Sequence, residues 1–396
     1  MIKDFSLQAF FMGCLVAFVG FASSFAVILQ GLSAVGATQE QAASGLLALS
    51  ISMGLLGIVL SIWKKMPISA AWSTPGAALL ATAAIPEGGF AAAVGAFLVA
   101  GVLLTAAGVW KPLGRAVNAI PTPLANAMLS GILIGLCFAP FQAVAFDPIL
   151  GLPILVAWVI GGRINRFLAI PAALAAFIVV LMLAVELPES MAATLSNALV
   201  PSWEFVVPVF NLSSLVGIAI PLFIVTMASQ NIPGAAVLRI NNYDPEPGPL
   251  FAISGVFSFL SAPFGGHAVN LAAITAAMCA SEDAHPDPAR RYWSAIIAGA
   301  VYILFGLLAG VAIAFISLAP AILIEAVAGL ALIGAFSASA VAAFKEPSTR
   351  EASAVTFLTA ASGMSLFGIS GAFWGLLAGL AVLAVQKKPS KDSHSK

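Results

Sequence analysis

Residues 67–85 read Pro67-Ile68-Ser69-Ala70-Ala71-Trp72-Ser73-Thr74-Pro75-Gly76-Ala77-Ala78-Leu79-Leu80-Ala81-Thr82-Ala83-Ala84-Ile85, an uncharged run interrupted halfway by a proline–glycine pair. Pro75 has no N–H and a fixed φ, which suits the first position of a helix, and Thr74 before it is a good N-cap. A helix from Pro75 to Ile85 is about 16 Å long, roughly half of the ~30 Å hydrocarbon core of a bilayer. It begins near the midplane, with Pro67 to Ser73 crossing the remainder in extended form. Non-helical backbone at that depth persists only where protein or a water-filled cavity satisfies it.

A second interruption repeats the design. Pro263-Phe264-Gly265-Gly266 breaks an apolar run, and a helix is expected from about His267 to Ala280. Thr74 to Ala84 lines up with His267 to Ala277 at an offset of 193 residues. Ala22-Ser23-Ser24 in the first span has a counterpart in Ala228-Ser229-Gln230. Either interruption alone reads as a kink, since Pro and Gly are common in membrane helices; two at matching repeat positions favour paired half-helices. In repeats of opposite orientation the two helix N-termini meet near mid-membrane, each supplying roughly half a positive charge to an anion.

The rest of the chain supports a membrane setting. Of 396 residues, 61% are hydrophobic and 8% charged, against about 25% charged in soluble proteins. No basic cluster precedes the C-terminal tail, which excludes a nucleic-acid footprint. The first apolar run, Leu7 to Ala37, is too long for the apolar part of a signal peptide and reads as a retained span. Cys14, Cys137 and Cys279 lie in apolar runs without a CxxC spacing and read as buried small residues. About fourteen spans can be drawn. With loops numbered alternately from the N-terminus, all 16 Lys and Arg residues fall on one side, and Glu40, Glu87, Asp147, Glu186, Glu189 and Glu204 on the other. The positive-inside rule then puts both termini in the cytoplasm of an inner-membrane protein. The expected fold is therefore all-α and polytopic, with spans 1–7 in residues 1–205 as a first repeat, spans 8–14 in 206–386 as an inverted second repeat, and a cytoplasmic tail at 387–396.

Span eight contains Thr226-Met227-Ala228-Ser229-Gln230-Asn231-Ile232-Pro233-Gly234. Gln230 and Asn231 inside a span are costly unless they face a partner or a cavity, so they either tie helices together or bind substrate. His267 either couples a proton or is a neutral histidine bonded to the neighbouring repeat. Glu325 is the one carboxylate placed clearly within a span, as a proton relay or as a residue snorkelling to the outer interface. Asn270 lies nearly one turn beyond His267 and is a candidate to face the same cavity. No GxSxG, P-loop or histidine cluster occurs, which argues against a hydrolase, an ATP-driven pump and a metal site. The connection Glu186–Asn211 either covers the outer entrance or is a passive linker, and Ser281–Arg291 reads as a solvated loop of mixed charge.

These segments resemble the benzoate membrane transporter (BenE) family. The resemblance is carried by Ala71-Trp72-Ser73-Thr74-Pro75-Gly76-Ala77-Ala78-Leu79-Leu80, by residues 221–231 (PLFIVTMASQN), by Ala272-Ala273-Ile274-Thr275-Ala276-Ala277, by Ala284-His285-Pro286-Asp287 and by Ala372-Phe373-Trp374-Gly375-Leu376. It implies benzoate/proton symport without a cofactor, with the proton as coupling ion. It also implies a seven-plus-seven fold related to the uracil and nucleobase–ascorbate transporters, in which spans three and ten are half-helices preceded by short strands. Interleaved core and gate subdomains, elevator movement and a homodimer are implied by the same analogy. Gln230 and His267 stand where nucleobase carriers place glutamates, and the loss of both carboxylates suits an anionic substrate. On this reading the benzoate carboxylate sits against Ser73-Thr74 and Gly265-Gly266-His267, with Gln230 and Asn231 donating amide hydrogen bonds to it. Asn270 stands nearby, and the ring packs on Trp72 and Phe264. A nucleobase or another organic anion, or a passive anion channel, are the alternatives.

Overall fold

The computed structural model describes residues 4–165, 168–184, 198–201, 203–272, 274–316, 320–366 and 369–386. The tail at 387–396 and residues 186–197 and 202 of the connection Glu186–Asn211 lie outside the described residues. The first half holds α1 (Leu7–Ala22), α2 (Phe25–Ala34), α3 (Gln39–Lys64), the strand β1 (Ala70–Trp72), α4 (Thr74–Ala81), α5 (Gly89–Val109), α6 (Lys111–Asn118), α7 (Thr122–Cys137), α8 (Ala139–Phe146), α9 (Pro148–Ile164) and α10 (Ala169–Ala184). The second half holds α11 (Leu212–Ile240), α12 (Pro247–Ser261), β2 (Val269–Leu271), α13 (Ile274–Ala280), α14 (Tyr292–Leu307), α15 (Ala309–Ile316), α16 (Ala321–Phe344) and α17 (Arg350–Ala361). The two-residue strands β3 (Ser365–Leu366) and β4 (Ile369–Ser370) and then α18 (Gly371–Gln386) complete it.

Among the described residues seven helical stretches are long and apolar enough to cross a membrane: Leu7–Ala34, α3, α5, Thr122–Phe146, α11, Pro247–Phe264 and α16. Large apolar side chains stand on their outer faces and on the shorter helices, with Ile149 81% and Leu183 84% exposed. Such a surface is costly in water and natural in lipid. Two groups of helices result. In one, α3 packs on α14, α14 on α1, α5 on α12 and α2 on α4; in the other, α7 packs on α16 and α17, α17 on α18, and α9 on α10. Close approach within the first group depends on glycine: a Cβ on Gly54 would lie 2.5 Å from the Gly299 carbonyl, and one on Gly299 2.5 Å from that of Gly54. Small residues let backbones touch where lipid offers no hydrophobic drive for association.

The interrupted segments meet each other. β1 pairs with β2 antiparallel, Ala70 opposite Leu271 and Trp72 opposite Val269. Ser73 N–H donates to the Ala268 carbonyl (2.9 Å) and Ala272 N–H to that of Ser69 (3.0 Å), which extends the ladder at both ends. Two short strands cannot satisfy both of their edges, so neighbouring helices supply hydroxyls. Ser61 of α3 bonds both the N–H and the carbonyl of Ile68 (3.2 Å each), and Ser258 of α12 does the same for Val269 (2.9 and 3.1 Å). Asn231 Oδ1 accepts from Leu271 N–H at 2.9 Å. The extended backbone thus persists because protein groups replace the missing water.

Two expected boundaries are corrected. The first short helix starts at Thr74, with Ser73 and not Thr74 as its N-cap: Ser73 Oγ accepts from Gly76 N–H at 3.2 Å. It ends at Ala81, short of Ile85, where the Thr82 hydroxyl and N–H turn back to the Leu79 carbonyl. The second does not start near His267. Gly265 takes a left-handed turn (φ 90°), His267 and Ala268 lead into β2, and the helix begins at Ile274. Residues 269–271 are claimed by β1 and are not free to be helical. β2 lies 199 residues after β1 (269 − 70) and α13 lies 200 after α4 (274 − 74), so the 193-residue alignment is a chance match of small apolar residues.

One end of the molecule gathers polar groups. Lys64 Nζ lies 2.7 Å from Glu246, Tyr292 donates to Asp4 at 2.8 Å, and Arg290 donates to the carbonyls of Asp4 and Phe5. The Tyr292 hydroxyl is the main cause holding the Asp4 carboxyl below the usual carboxylate range. The stretch 281–291 is more than a solvated loop. Arg291 is buried and donates to the carbonyls of Ala280 (2.7 Å), His285 (2.7 Å) and Pro286 (3.2 Å), capping the C-terminus of α13. At the opposite end, the described part of the outer connection is docked and not a free linker: Val206 N–H donates to Pro263 (2.8 Å), Val209 N–H to Ala91 (3.0 Å), and Trp203 and Phe205 set their edges against Phe264.

Candidate substrate cavity

A cavity of about 500 Å³ lies between the two helix groups. One wall comes from Val19, Gly20, Ser23 and Ser24 at the α1–α2 break, Ala71, Trp72, Thr74 and Pro75 at the β1–α4 junction, and Ala272 and Thr275 beside β2 and in α13. α11 adds Val225, Ala228, Ser229, Gln230, Ile232 and Pro233, and α14 adds Tyr302. The other wall is α7, through Thr122, Ala125, Asn126, Leu129 and Leu133, and α16, through Ala331, Leu332, Ala335, Ala338 and Ser339. Among the described residues none of this lining is charged. Thr122 to Leu133 spans about 16 Å of helix. Thr122 is exposed at the start of α7, seven residues after Arg115, and Ser339 stands in the last turns of α16, six residues before Lys345. The cavity therefore runs from the strand pair to the end of the molecule that carries these cations.

The polar atoms divide into committed and free. Trp72 Nε1–H donates to Ser24 Oγ at 2.8 Å, which fixes the indole in the wall. Thr275 and Ser69 share a hydroxyl bond of 2.9 Å, and Asn126 Nδ2 donates to the Thr122 carbonyl at 2.8 Å. The Gln230 side-chain amide and the Thr74 hydroxyl have no hydrogen-bond partner among the described residues. The local helix geometry explains how adjacent amides part company. Met227–Asn231 is a π turn, whose extra residue rotates the helix face. Gln230 lines the cavity, while Asn231 is fully buried behind it on β2.

Of the residues singled out in the sequence, Trp72, Thr74 and Gln230 line the cavity. Ser73, Asn231, His267 and Asn270 are fully buried in the scaffold around β1 and β2. His267 Nε2 stands 2.9 Å from the Ser73 carbonyl, and its Nδ1 is buried without a partner among the described residues. In the orientation that satisfies both of its side-chain atoms, Asn270 accepts from Ser73 N–H at 3.2 Å and donates to the Leu271 carbonyl at 3.0 Å. Phe264, Gly265 and Gly266 lie away from the lining: Phe264 under Trp203 and Phe205, Gly265 against α3 and Gly266 against Ser261. The placement of the anion against Gly265-Gly266-His267 is thereby corrected, because no helix starts there. Glu325 sits in the first turns of α16, about 9 Å along the axis from Ala331, the nearest lining residue of that helix. Thr122, Asn126, Thr275, Tyr302 and Ser339 also line the cavity, and sequence reasoning missed them. A polar pair four residues apart in an apolar span is the signal that Thr122 and Asn126 offer. Among the described residues no cluster of three His, Cys, Asp or Glu side chains is placed to hold a metal.

With this geometry in view, comparison with known proteins gives one family. A model of the benzoate membrane transport protein family, BenE, matches residues 3–385. The chain belongs to this family. The inner membrane protein YdcO of Escherichia coli (strain K12) is 35% identical to it over 367 residues, covering 93% of each chain. The benzoate membrane transport protein of Acinetobacter baylyi is 30% identical over 388 residues, covering 98% of this chain and 97% of that one. Among solved structures, the transmembrane domain of a cyanobacterium bicarbonate transporter, BicA, superposes with a TM-score of 0.60 at 17% identity, over 94% of this chain and 97% of that one. Murine Solute Carrier 26 family member A9 in its inward-facing state gives 0.60 at 14%, over 97% and 69%. At these identities the solved structures share the fold alone. This BenE-family chain is accordingly a multi-pass membrane protein of a transporter fold.

Proposed function

We propose that the protein is a secondary active transporter that carries benzoate, or a similar aromatic carboxylate, together with a proton. The observation that carries this reading is the cavity itself: Thr74 at the start of α4 and the amide of Gln230, unpartnered among the described residues, stand in uncharged walls built mainly from aliphatic and aromatic side chains with a few hydroxyls and the Asn126 amide. A carboxylate needs donors and a ring needs apolar walls, and without a nearby cation a helix start and an amide are the donors available. The family name and the Acinetobacter relative supply the substrate. The fourteen-span plan, with inverted repeats at 1–205 and 206–386, is supported by the opposed strand–helix units β1–α4 and β2–α13. The cation-bearing end is assigned to the cytoplasm, and the two helix groups to a moving core and a gate, in an elevator-type inner-membrane carrier that forms a homodimer.

Uptake of radiolabelled benzoate into proteoliposomes tests the mechanism. Accumulation above equilibrium under an imposed acid-outside gradient, lost with a protonophore, is expected; uptake that only equilibrates would indicate a channel. Benzamide, which keeps the ring and loses the charge, is expected to bind at least tenfold more weakly than benzoate, as charged acceptors make the stronger hydrogen bonds.

A further inference from the structure

His267 is unusual in that it is fully buried next to the cavity and yet does not line it. The ring nitrogen Nε2 lies 2.9 Å from a carbonyl oxygen, which carries no proton, so Nε2 must be the donor. Nδ1 is buried and has no hydrogen-bond partner among the described residues, and the ring of Phe97 is set edge-to-face with it, the centroids 6.3 Å apart. A proton on Nδ1 would have no acceptor among the described residues, and no ion pair is made by this histidine among them. The neutral Nε2–H tautomer is the form that this site fits.

The carbonyl it holds belongs to the peptide unit that joins Ser73 to Thr74. That unit is trans, so its C=O and N–H point in opposite directions. Fixing the Ser73 carbonyl therefore fixes the direction of the Thr74 N–H, which has no partner among the described residues and belongs to a residue of the cavity wall. Ser73 is gripped from other sides as well. Its carbonyl also accepts the first intrahelical bond of α4, from Ala77 N–H at 2.8 Å, which leaves His267 as the donor from outside the helix. Its N–H is held by the Ala268 carbonyl, and its hydroxyl by Thr226 at 2.8 Å and by Gly76 N–H. Residues 267–268 thus hold the entry to α4 from the other half of the chain.

We propose that His267 is a positioning residue, which aims the Thr74 N–H at the bound substrate, and that it does not carry the coupled proton. The proposal takes the substrate to be the aromatic carboxylate argued above. Donation to the Ser73 carbonyl also polarises the peptide, which strengthens its N–H as a donor.

Two measurements on the purified full chain decide it. The chain has three histidines, and replacing His285 and His394 by Asn leaves His267 alone in a nitrogen-15 NMR spectrum of histidine-labelled protein. A single neutral Nε2–H imidazole, unchanged between pH 5.5 and 8, is expected; titration in that range would overturn the assignment. Benzoate binding is then compared in His267→Gln, whose amide can donate but cannot titrate, and His267→Leu. The Gln variant is expected within about threefold of wild type with an unaltered pH profile of uptake, and the Leu variant about tenfold weaker or worse, the scale of a lost donor to a charged group. Unchanged affinity in a Leu variant that elutes and melts as wild type, or loss of proton-driven accumulation in a Gln variant that still binds, would overturn the proposal. Wild-type protein that does not bind benzoate would remove the substrate reading, while the spectrum would still decide the protonation of His267.

Discussion

Two neighbouring amides show how much one residue's direction decides. Gln230 faces the cavity with its amide unpaired among the described residues, and Asn231 faces β2 with its Oδ1 on Leu271 N–H. Gln230→Ala is expected to weaken benzoate binding about tenfold, the effect of losing ~1.5 kcal/mol from a bond to a charged acceptor, with little change in melting temperature. Asn231→Leu is expected to do the reverse first. It leaves the Leu271 N–H buried and unsatisfied, a cost of about 1–3 kcal/mol that lowers thermal stability in detergent before any effect on affinity is considered. A thermal-shift series with and without benzoate separates the two: an Asn231 variant as stable as wild type would remove its structural role, and a Gln230 variant with wild-type affinity would remove it from the site.

The same contrast holds for whole elements. Periodicity and punctuation make the half-helix at 74 legible, since Pro75 can begin a helix and cannot continue a strand ladder as a donor. They fail at the second break. Gly265-Gly266 marks a turn, but the conformation of residues 267–271 is decided by β1, whose open edge lies 199 residues away in sequence (269 − 70). Strand pairing at that distance leaves no local trace in Val269-Asn270-Leu271. The π turn at Met227–Asn231 is equally silent, because helical spacing places Gln230 and Asn231 about 100° apart without saying which one faces the cavity. The residues opposite, Asn126 and Ser339, belong to helices whose contact with the site is wholly tertiary. At this scale the strand pair depends on its serine supports. Ser258→Ala removes the partner of both the N–H and the carbonyl of Val269. It is expected to destabilise the fold by about 1–3 kcal/mol and to expose the Val269 amide to hydrogen exchange. Protection equal to wild type would show that the ladder holds without its hydroxyl.

For the molecule as a whole, the position of the cavity makes a claim about access. Its lining on α7 and α16 lies toward the ends that lead to Arg115 and Lys345 in the chain, and none of the lining comes from the segment 203–211, which is docked on Ala91 and Pro263 at the opposite end. If the cation-bearing end is cytoplasmic, as the positive-inside rule requires, this state is open to the cytoplasm. A cysteine in the open half should then react with a membrane-impermeant maleimide from that side. Cys137 and Cys279 are buried and Cys14 is partly exposed, so a Cys14→Ser background keeps the native signal low. Asn126→Cys and Ser339→Cys are expected to label rapidly in inside-out vesicles and at least tenfold more slowly in right-side-out vesicles. Benzoate is expected to slow labelling of Asn126→Cys in inside-out vesicles if it sits between α7 and Gln230. Faster labelling from the outside would reverse the assigned orientation. Equal rates from both sides would mean that the cavity communicates with both faces, which is the behaviour of a channel and not of a carrier that exposes its site to one side at a time.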